Sequence, residues 1–296
     1  MIGSERILVA TDFSPLAQEA IRQAHERAAS AHATLAVCHV VQNDLKANVL
    51  FPHLTKPQAV ISSVELDRLS EALSANVKSL TGRSEGEFEI LLDDGTPYAV
   101  ILTLAESWRA DLIVTGSHGS EDLYDLMLGS VAENVTRYAH CPVLVARPHR
   151  KSGHIVAGTD FSDQALSAVT AAVVEARRTN SRLTVVHSLQ VSLPLSSFIA
   201  RGLGSPPPEP SVEGSADLGK AVEDRLVELV ARCGFEADPR VLDGPAAAAL
   251  VRVAKDVNAD LLVVGTRGRT GLARVLLGSV AEGVVRSAPC SVLVVR

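Results

Sequence analysis

Two stretches of this 296-residue chain carry glycines at the spacing G-x2-G-x9-G-S. They are Gly116, Gly119, Gly129 and Ser130 in the first half, and Gly265, Gly268, Gly278 and Ser279 in the second. Without a Cβ, glycine can take positive φ and lets another group approach its backbone closely. The second copy follows an apolar run, Leu261 to Val264, short and branched enough to read as a buried strand. The segment after it, Leu272 to Arg286, has helical periodicity interrupted at Gly278-Ser279. A strand, a glycine loop and a helix together hold a phosphate on backbone N–H groups and a helix N-terminus. Taken alone, such a loop reads equally well as a structural turn between a strand and its crossover helix. It does not occur alone: the two copies lie 149 residues apart at every glycine. Neither is a Gly-Lys-Ser/Thr phosphate loop, and neither is a G-x-G-x-x-G fingerprint.

The two loops differ in charge. Arg267, Arg269 and Arg274 surround the second, whereas Glu121, Asp122 and Asp125 stand near the first. Unit charges several ångströms apart near a surface interact by on the order of one to a few kcal/mol before screening. The second loop is therefore expected to hold a phosphate more tightly. Triphosphate binding at the first calls for a divalent cation bridging Glu121 or Asp122 to the ligand.

A second signature also recurs. Thr11-Asp12-Phe13-Ser14 reappears as Thr159-Asp160-Phe161-Ser162, each time leaving an apolar strand. Locally, Asp12 and Asp160 read as turn or capping residues as readily as ligand contacts. Metal and nucleophile readings find less support. Cys38-His39 and His140-Cys141 are adjacent pairs, but they fall on strands expected to lie apart, so a shared tetrahedral site is not expected. His118 inside the first loop reads as a phosphate-side donor or an exposed residue. No Ser/His/Asp arrangement recurs in both halves, so no general base for fast hydrolysis is identified.

Elements that position these residues alternate between strand and helix. In the first half strands are expected at Ile7 to Ala10, Ala33 to Val41, Glu87 to Leu92 and Pro142 to Arg147, besides the one before Gly116. Helices begin at Ser14-Pro15 and Thr96-Pro97, each pairing a cap residue with proline at the first helical position; the latter runs to Trp108, and another spans Val64 to Leu80. Leu16, Ala20, Ile21, Ala24 and Ala28 form the buried face of the first helix. The second half repeats the order: strands at His154 to Gly158, Leu183 to His187, Pro239 to Leu242 and Ser291 to Arg296, and helices at Ala216 to Arg232 and Ala246 to Asp256. Val191 to Ser215, rich in Gly, Pro and Ser, reads as a mobile excursion. Pro148 to Gly153 is a short polar joint, which places one domain at 1–148 and another at 153–296.

Strand–helix alternation implies right-handed βαβ units and parallel sheets covered on both faces. In such sheets ligands sit beyond the carboxyl ends of strands, where the winding reverses. The glycine spacing and the Thr-Asp-Phe-Ser turns resemble the nucleotide-binding branch of the universal stress protein family, across nearly the whole chain and twice over. The resemblance implies two tandem α/β domains, each an open five-stranded parallel Rossmann-like sheet in the order 3-2-1-4-5. That order sets the turn and the glycine loop side by side. It implies ATP, ADP or AMP as ligand, with Mg2+ as a candidate companion. Asp12 and Asp160, with Thr11 and Thr159, would face the adenine and ribose end. The glycines, Ser130, Ser279, Arg267 and Arg269 would face the phosphates. It also implies that the final strands, Val143 to Arg147 and Val292 to Arg296, pair within the chain, and that whole chains form homodimers through other surfaces.

Composition limits the alternatives. With 47% hydrophobic and 21% charged residues the chain can bury two cores, and with only 3% aromatics those cores are aliphatic. A net charge of −6 argues against a general nucleic-acid binder. Four cysteines do not make a disulfide framework. No apolar run reaches the ~20 residues of a membrane span, and the opening MIGSERILVATDFS does not read as a signal peptide, so a cytoplasmic location is expected. The function expected is nucleotide binding in stress sensing. Its rivals are a nucleotide-free interaction protein and a slow hydrolase or transferase on the same fold.

Overall fold

A computed structural model describes residues 5–42, 63–84, 86–119, 128–148, 151–189, 212–266 and 277–296, with backbone only over 212–218. The described first half runs β1 (Arg6–Ala10), α1 (Pro15–Ala31), β2 (Thr34–Val41), α2 (Ser63–Thr81), β3 (Glu89–Asp94), α3 (Pro97–Ser107), β4 (Leu112–Gly116), α4 (Ser130–Tyr138) and β5 (Val143–Ala146). The second runs β6 (His154–Gly158), α5 (Asp163–Thr179), β7 (Arg182–Leu189), α6 (Val212–Arg232), β8 (Ala237–Asp243), α7 (Ala246–Asp256), β9 (Leu261–Gly265), α8 (Ser279–Ser287) and β10 (Ser291–Val295).

Packing divides the chain into two compact units. One holds Met1–His149 together with Cys290–Arg296; the other holds Arg150–Gly271 together with Gly278–Pro289. In the first, strands pair in the order β3-β2-β1-β4-β5, all parallel. Here β1 and β4 are neighbours, with Val9 opposite Val114, which is the reversal point of the winding. The second unit pairs β8-β7-β6-β9, again parallel, with Ala157 opposite Val263. The strands are buried because both faces are covered: in the first unit α1 packs with α2, and α3 with α4. Such strands have no solvent face, which is why β1 and β4 read as unbroken apolar runs rather than alternating ones.

Seven residues of the first unit, Cys290–Arg296, come from the chain end. β10 runs antiparallel to β5, with Val145 opposite Val292 and Leu144 opposite Leu293. Ser291 ties this edge down: its hydroxyl donates to Gln23 Oε1 (2.8 Å) and accepts from the Arg147 N–H (3.0 Å). The sheet of this unit is thus mostly parallel rather than wholly parallel.

Several boundaries differ from those the sequence suggests. β3 continues through Asp93 and Asp94, and the chain turns only at Gly95, whose φ of 138° needs glycine. Ala17, not Leu16, lies on the buried face of α1. Ser14 caps α1 by accepting the Ala17 N–H, whereas Thr96 makes no side-chain cap to α3, whose start rests on Pro97. A helix, α8, begins at Ser279, with Gly278 extended at the cap position; residues 267–276, which the periodicity placed ahead of that break, lie outside the described residues. α6 already starts at Val212, inside the stretch read as an excursion; residues 190–211 lie outside the described residues.

Candidate functional site

The turn after β1 is built from its own side chains. Thr11 is buried; its N–H donates to Cys38 O, and its Oγ1 accepts the Phe13 N–H at 3.1 Å. Asp12 Oδ1 accepts the Ser14 N–H at 3.0 Å. Phe13 is held at φ 66°, a backbone state a bulky residue rarely enters. The second unit repeats this bond for bond. Phe161 donates to Thr159 Oγ1 (3.1 Å), Ser162 donates to Asp160 Oδ1 (3.0 Å), and Phe161 sits at φ 62°. A turn preserved in this detail is built for position, and in both copies the carboxylate caps its own turn. The turn reading of Asp12 and Asp160 is therefore correct as far as it goes: in each, Oδ1 accepts the N–H of the serine two residues on.

The other Asp12 oxygen faces the glycine loop. A Cβ on Gly119 would lie 2.6 Å from Asp12 Oδ2, so this glycine is what allows the carboxylate to sit against the loop. The turn and the loop thus share one crevice in the first unit. Gly129 closes the loop by donating its N–H to Ser117 O (2.8 Å), and Gly278 makes the equivalent bond to Thr266 O (2.7 Å). Gly116 and Gly265 have a different role. A Cβ there would lie 3.0 Å from the Leu16 carbonyl carbon and 2.9 Å from Gln164 O, respectively. These two are glycines because the first turn of α1 or α5 packs directly on the strand end.

A cavity of about 400 Å3 opens at this point in the first unit. Thr11, Asp12, Gly116, Gly119, Gly129 and Ser130, the six candidate residues of the first half, all line it. Val40, Val41, Pro97 and Ile101 supply an apolar wall; Gln42 and Thr115 add polar groups that the sequence reading did not assign, and His118, read as a phosphate-side donor or an exposed residue, also lines the cavity. Of the second-half candidates, Thr159, Asp160, Gly265, Gly278 and Ser279 hold positions equivalent to their first-half counterparts. Arg267, Gly268 and Arg269 lie outside the described residues, as do Glu121, Asp122, Asp125 and Arg274.

His39 recurs as His187 and makes the same contact in each half. Its Nδ1 lies 2.8 Å from Thr11 O, and His187 Nδ1 stands 2.8 Å from Thr159 O. A carbonyl only accepts, so Nδ1 carries the proton in both rings. Each ring also leans on the Phe of its turn, at 5.0 Å for Phe13 and 4.7 Å for Phe161. The signal was in the sequence: His39 and His187 stand 148 residues apart, as Asp12 and Asp160 do. Cys38, beside His39, is fully buried, and burial pushes its thiol to about 12, which removes it as a nucleophile. Among the described residues no group of His, Cys, Asp and Glu is arranged to hold a metal, and no helix is long and apolar enough to cross a membrane.

Comparison with known proteins agrees with this geometry. The sequence model of the Universal stress protein family matches residues 3–147 and, separately, residues 151–296. Universal stress protein Rv2623 of Mycobacterium tuberculosis is 30% identical over 306 aligned positions, covering 98% of this chain and 96% of that one. Universal stress protein Rv2005c of the same organism is 31% identical, covering 91% and 89%. Among solved structures, a universal stress protein from Archaeoglobus fulgidus superposes with a TM-score of 0.64 at 19% identity, covering 98% of this chain and 96% of its own. A protein of unknown function from Pseudomonas aeruginosa, PA1789, gives 0.65 at 20% identity, covering 99% and 92%. At those identities the two structures speak for the fold alone.

Proposed function

This chain belongs to the universal stress protein family, and from that premise we propose that it binds an adenine nucleotide, ATP, ADP or AMP, as a sensor or regulator rather than a fast catalyst. The observation that carries the reading is the cavity of about 400 Å3 in which both repeated signatures of the first half meet. Its size falls within the ~300–1,000 Å3 of small-ligand pockets. Its lining also divides as a nucleotide does. Val40, Val41 and Ile101 offer an apolar wall to a flat ring, and Asp12 offers a carboxylate to sugar hydroxyls. Gly119, Gly129 and Ser130 offer backbone N–H and hydroxyl donors to phosphates at the start of α4.

In the second half Asp160, Gly268, Gly278 and Ser279 take the same roles beside Thr159 and Gly265, and Arg267 and Arg269 add charge that the first half lacks. A divalent cation such as Mg2+ fits the first site by the charge of its loop, where Glu121 and Asp122 would share it with the phosphates. Assembly follows from the same premise: the two repeats associate through β5 and β10, and whole chains pair through other surfaces.

The experiment is to denature the purified protein and identify released small molecules by mass spectrometry, then to titrate the stripped chain with ATP, ADP and AMP. An adenine nucleotide in the release, or saturable heat with at least one of the three, is expected. No release and no heat would leave an interaction protein with purely structural loops.

A further inference from the structure

The floor of the first crevice holds one polar group with no partner. Thr115, the last residue before Gly116, is only 3% exposed and lines the cavity. Its Oγ1 is buried and makes no hydrogen bond among the described residues. A buried hydroxyl can donate one bond and accept two, and leaving all three unmade is unfavourable. Nothing in the packing of β4 requires a hydroxyl there: the equivalent residue 149 positions later is Val264, the same shape without the oxygen and equally buried. The surroundings differ in the same sense. Ala10 and, one strand further, Cys38 line the first crevice with Thr115, while Gly158 and Val186 hold those positions in the second half, where Leu250 packs onto Gly158. The second floor is aliphatic; the first carries a hydroxyl.

We propose that the Thr115 hydroxyl determines ligand selectivity in the first site, by hydrogen-bonding an uncharged polar group on the nucleoside part of the bound nucleotide, a contact the second site cannot make. This rests on the nucleotide reading of the crevice. The nucleoside is favoured over the phosphates because Thr115 is buried in the lining with Ala10 and Cys38, whereas the phosphate donors are Gly119 in the loop and, at the start of α4, Gly129 and the exposed Ser130. The group engaged is a sugar hydroxyl or a polar edge of the base; both have the same hydrogen-bonding chemistry.

The test is nucleotide titration of the full chain and of Thr115→Val and Thr115→Ser, with first-site occupancy read from hydrogen-exchange protection of the Gly129 to Ala132 amides. ATP affinity at that site should fall roughly tenfold in Thr115→Val and stay within about twofold in Thr115→Ser. Thermal stability of the ligand-free Val variant should not fall, because removing an unpaired buried hydroxyl is neutral or stabilising. Repeating the titration with 2′-deoxy-ATP, 3′-deoxy-ATP and the triphosphate of purine riboside identifies the source. The analogue lacking the engaged group binds wild type and Val variant alike, while the others keep the tenfold gap. Unchanged ATP affinity in Thr115→Val would overturn the selectivity role and leave the nucleotide reading standing. An unaltered chain that takes up no nucleotide would overturn both.

Discussion

Asp12 sits where the turn and the glycine loop meet. Its Oδ1 fixes the turn through the Ser14 N–H, and its Oδ2 lies against Gly119, where a ligand in the loop would meet it. Charge near that loop distinguishes the two halves. Three carboxylates against three guanidinium groups, at on the order of one to a few kcal/mol each before screening, is enough to separate two affinities by tenfold or more. The second half should therefore be the tighter site for triphosphate: Arg269→Glu should weaken its calorimetric affinity, and Glu121→Arg should strengthen the first. Equal affinities in wild type, unmoved by either change, would remove charge as the cause. His154 offers a separate prediction about stability. Burial, reinforced by Arg182 and Arg240, lowers its pKa below 6.5, against weaker opposing pulls from Asp238 and Asp260. The fold prefers the neutral ring, whose Nε2 shares a hydrogen bond with Thr184 Oγ1 (2.8 Å). Above pH 6.5 the ring is neutral in both states and costs nothing. Below it the unfolded chain takes up a proton that the fold resists, so stability falls. Denaturant midpoints should drop from pH 7 to pH 5.5, and His154→Gln should flatten that drop. An identical slope in the variant would place the acid sensitivity elsewhere.

At the scale of elements, the glycines divide into two roles. Gly119 opens space for a carboxylate, whereas Gly116 and Gly265 open space for the first turn of a helix. Alanine at either of the latter forces that turn outward, and overpacking of this kind costs about 1–3 kcal/mol. Gly116→Ala and Gly265→Ala should accordingly lower the melting temperature before they affect affinity; full stability with lost binding would return both glycines to the ligand. This distinction was not legible in the sequence, where all three glycines look alike. The spacing between them is local, but the partner that explains each one, Asp12, Leu16 or Gln164, comes from a different segment. The strands were legible because burial on both faces leaves mostly apolar positions in β1, β4 and β9. Their ends were less so. Asp93 and Asp94 look like turn residues, yet β3 extends through them, pairing with Val40 and Val41. Thr115 was invisible for a related reason: one hydroxyl in an apolar run signals nothing until the cavity beneath it is known.

The whole molecule is two copies of one solution, and the sequence carried that organisation openly through its offsets of 148 and 149 residues. What the offsets could not carry was the destination of the last strand. β5 and β10 are short, apolar and buried, and an open edge of that kind would invite association with other chains. Pairing the two edges removes the hazard within one polypeptide. Val294, opposite Val143, is the place to test it. Val294→Pro removes a ladder N–H, and hydrogen exchange should then lose protection in Leu144 to Arg147 as well as in β10. Loss confined to β10 would show that the edges do not support each other. The central claim, however, is that each repeat holds an adenine nucleotide between its Thr-Asp-Phe-Ser turn and its glycine loop. Calorimetric titration of the stripped chain with ATP, set beside Asp12→Ala, Asp160→Ala and the double variant, tests it most directly. Two binding events are predicted for the unaltered chain, one lost or strongly weakened in each single variant and both in the double. ATP bound with unchanged affinity by the double variant would contradict the account.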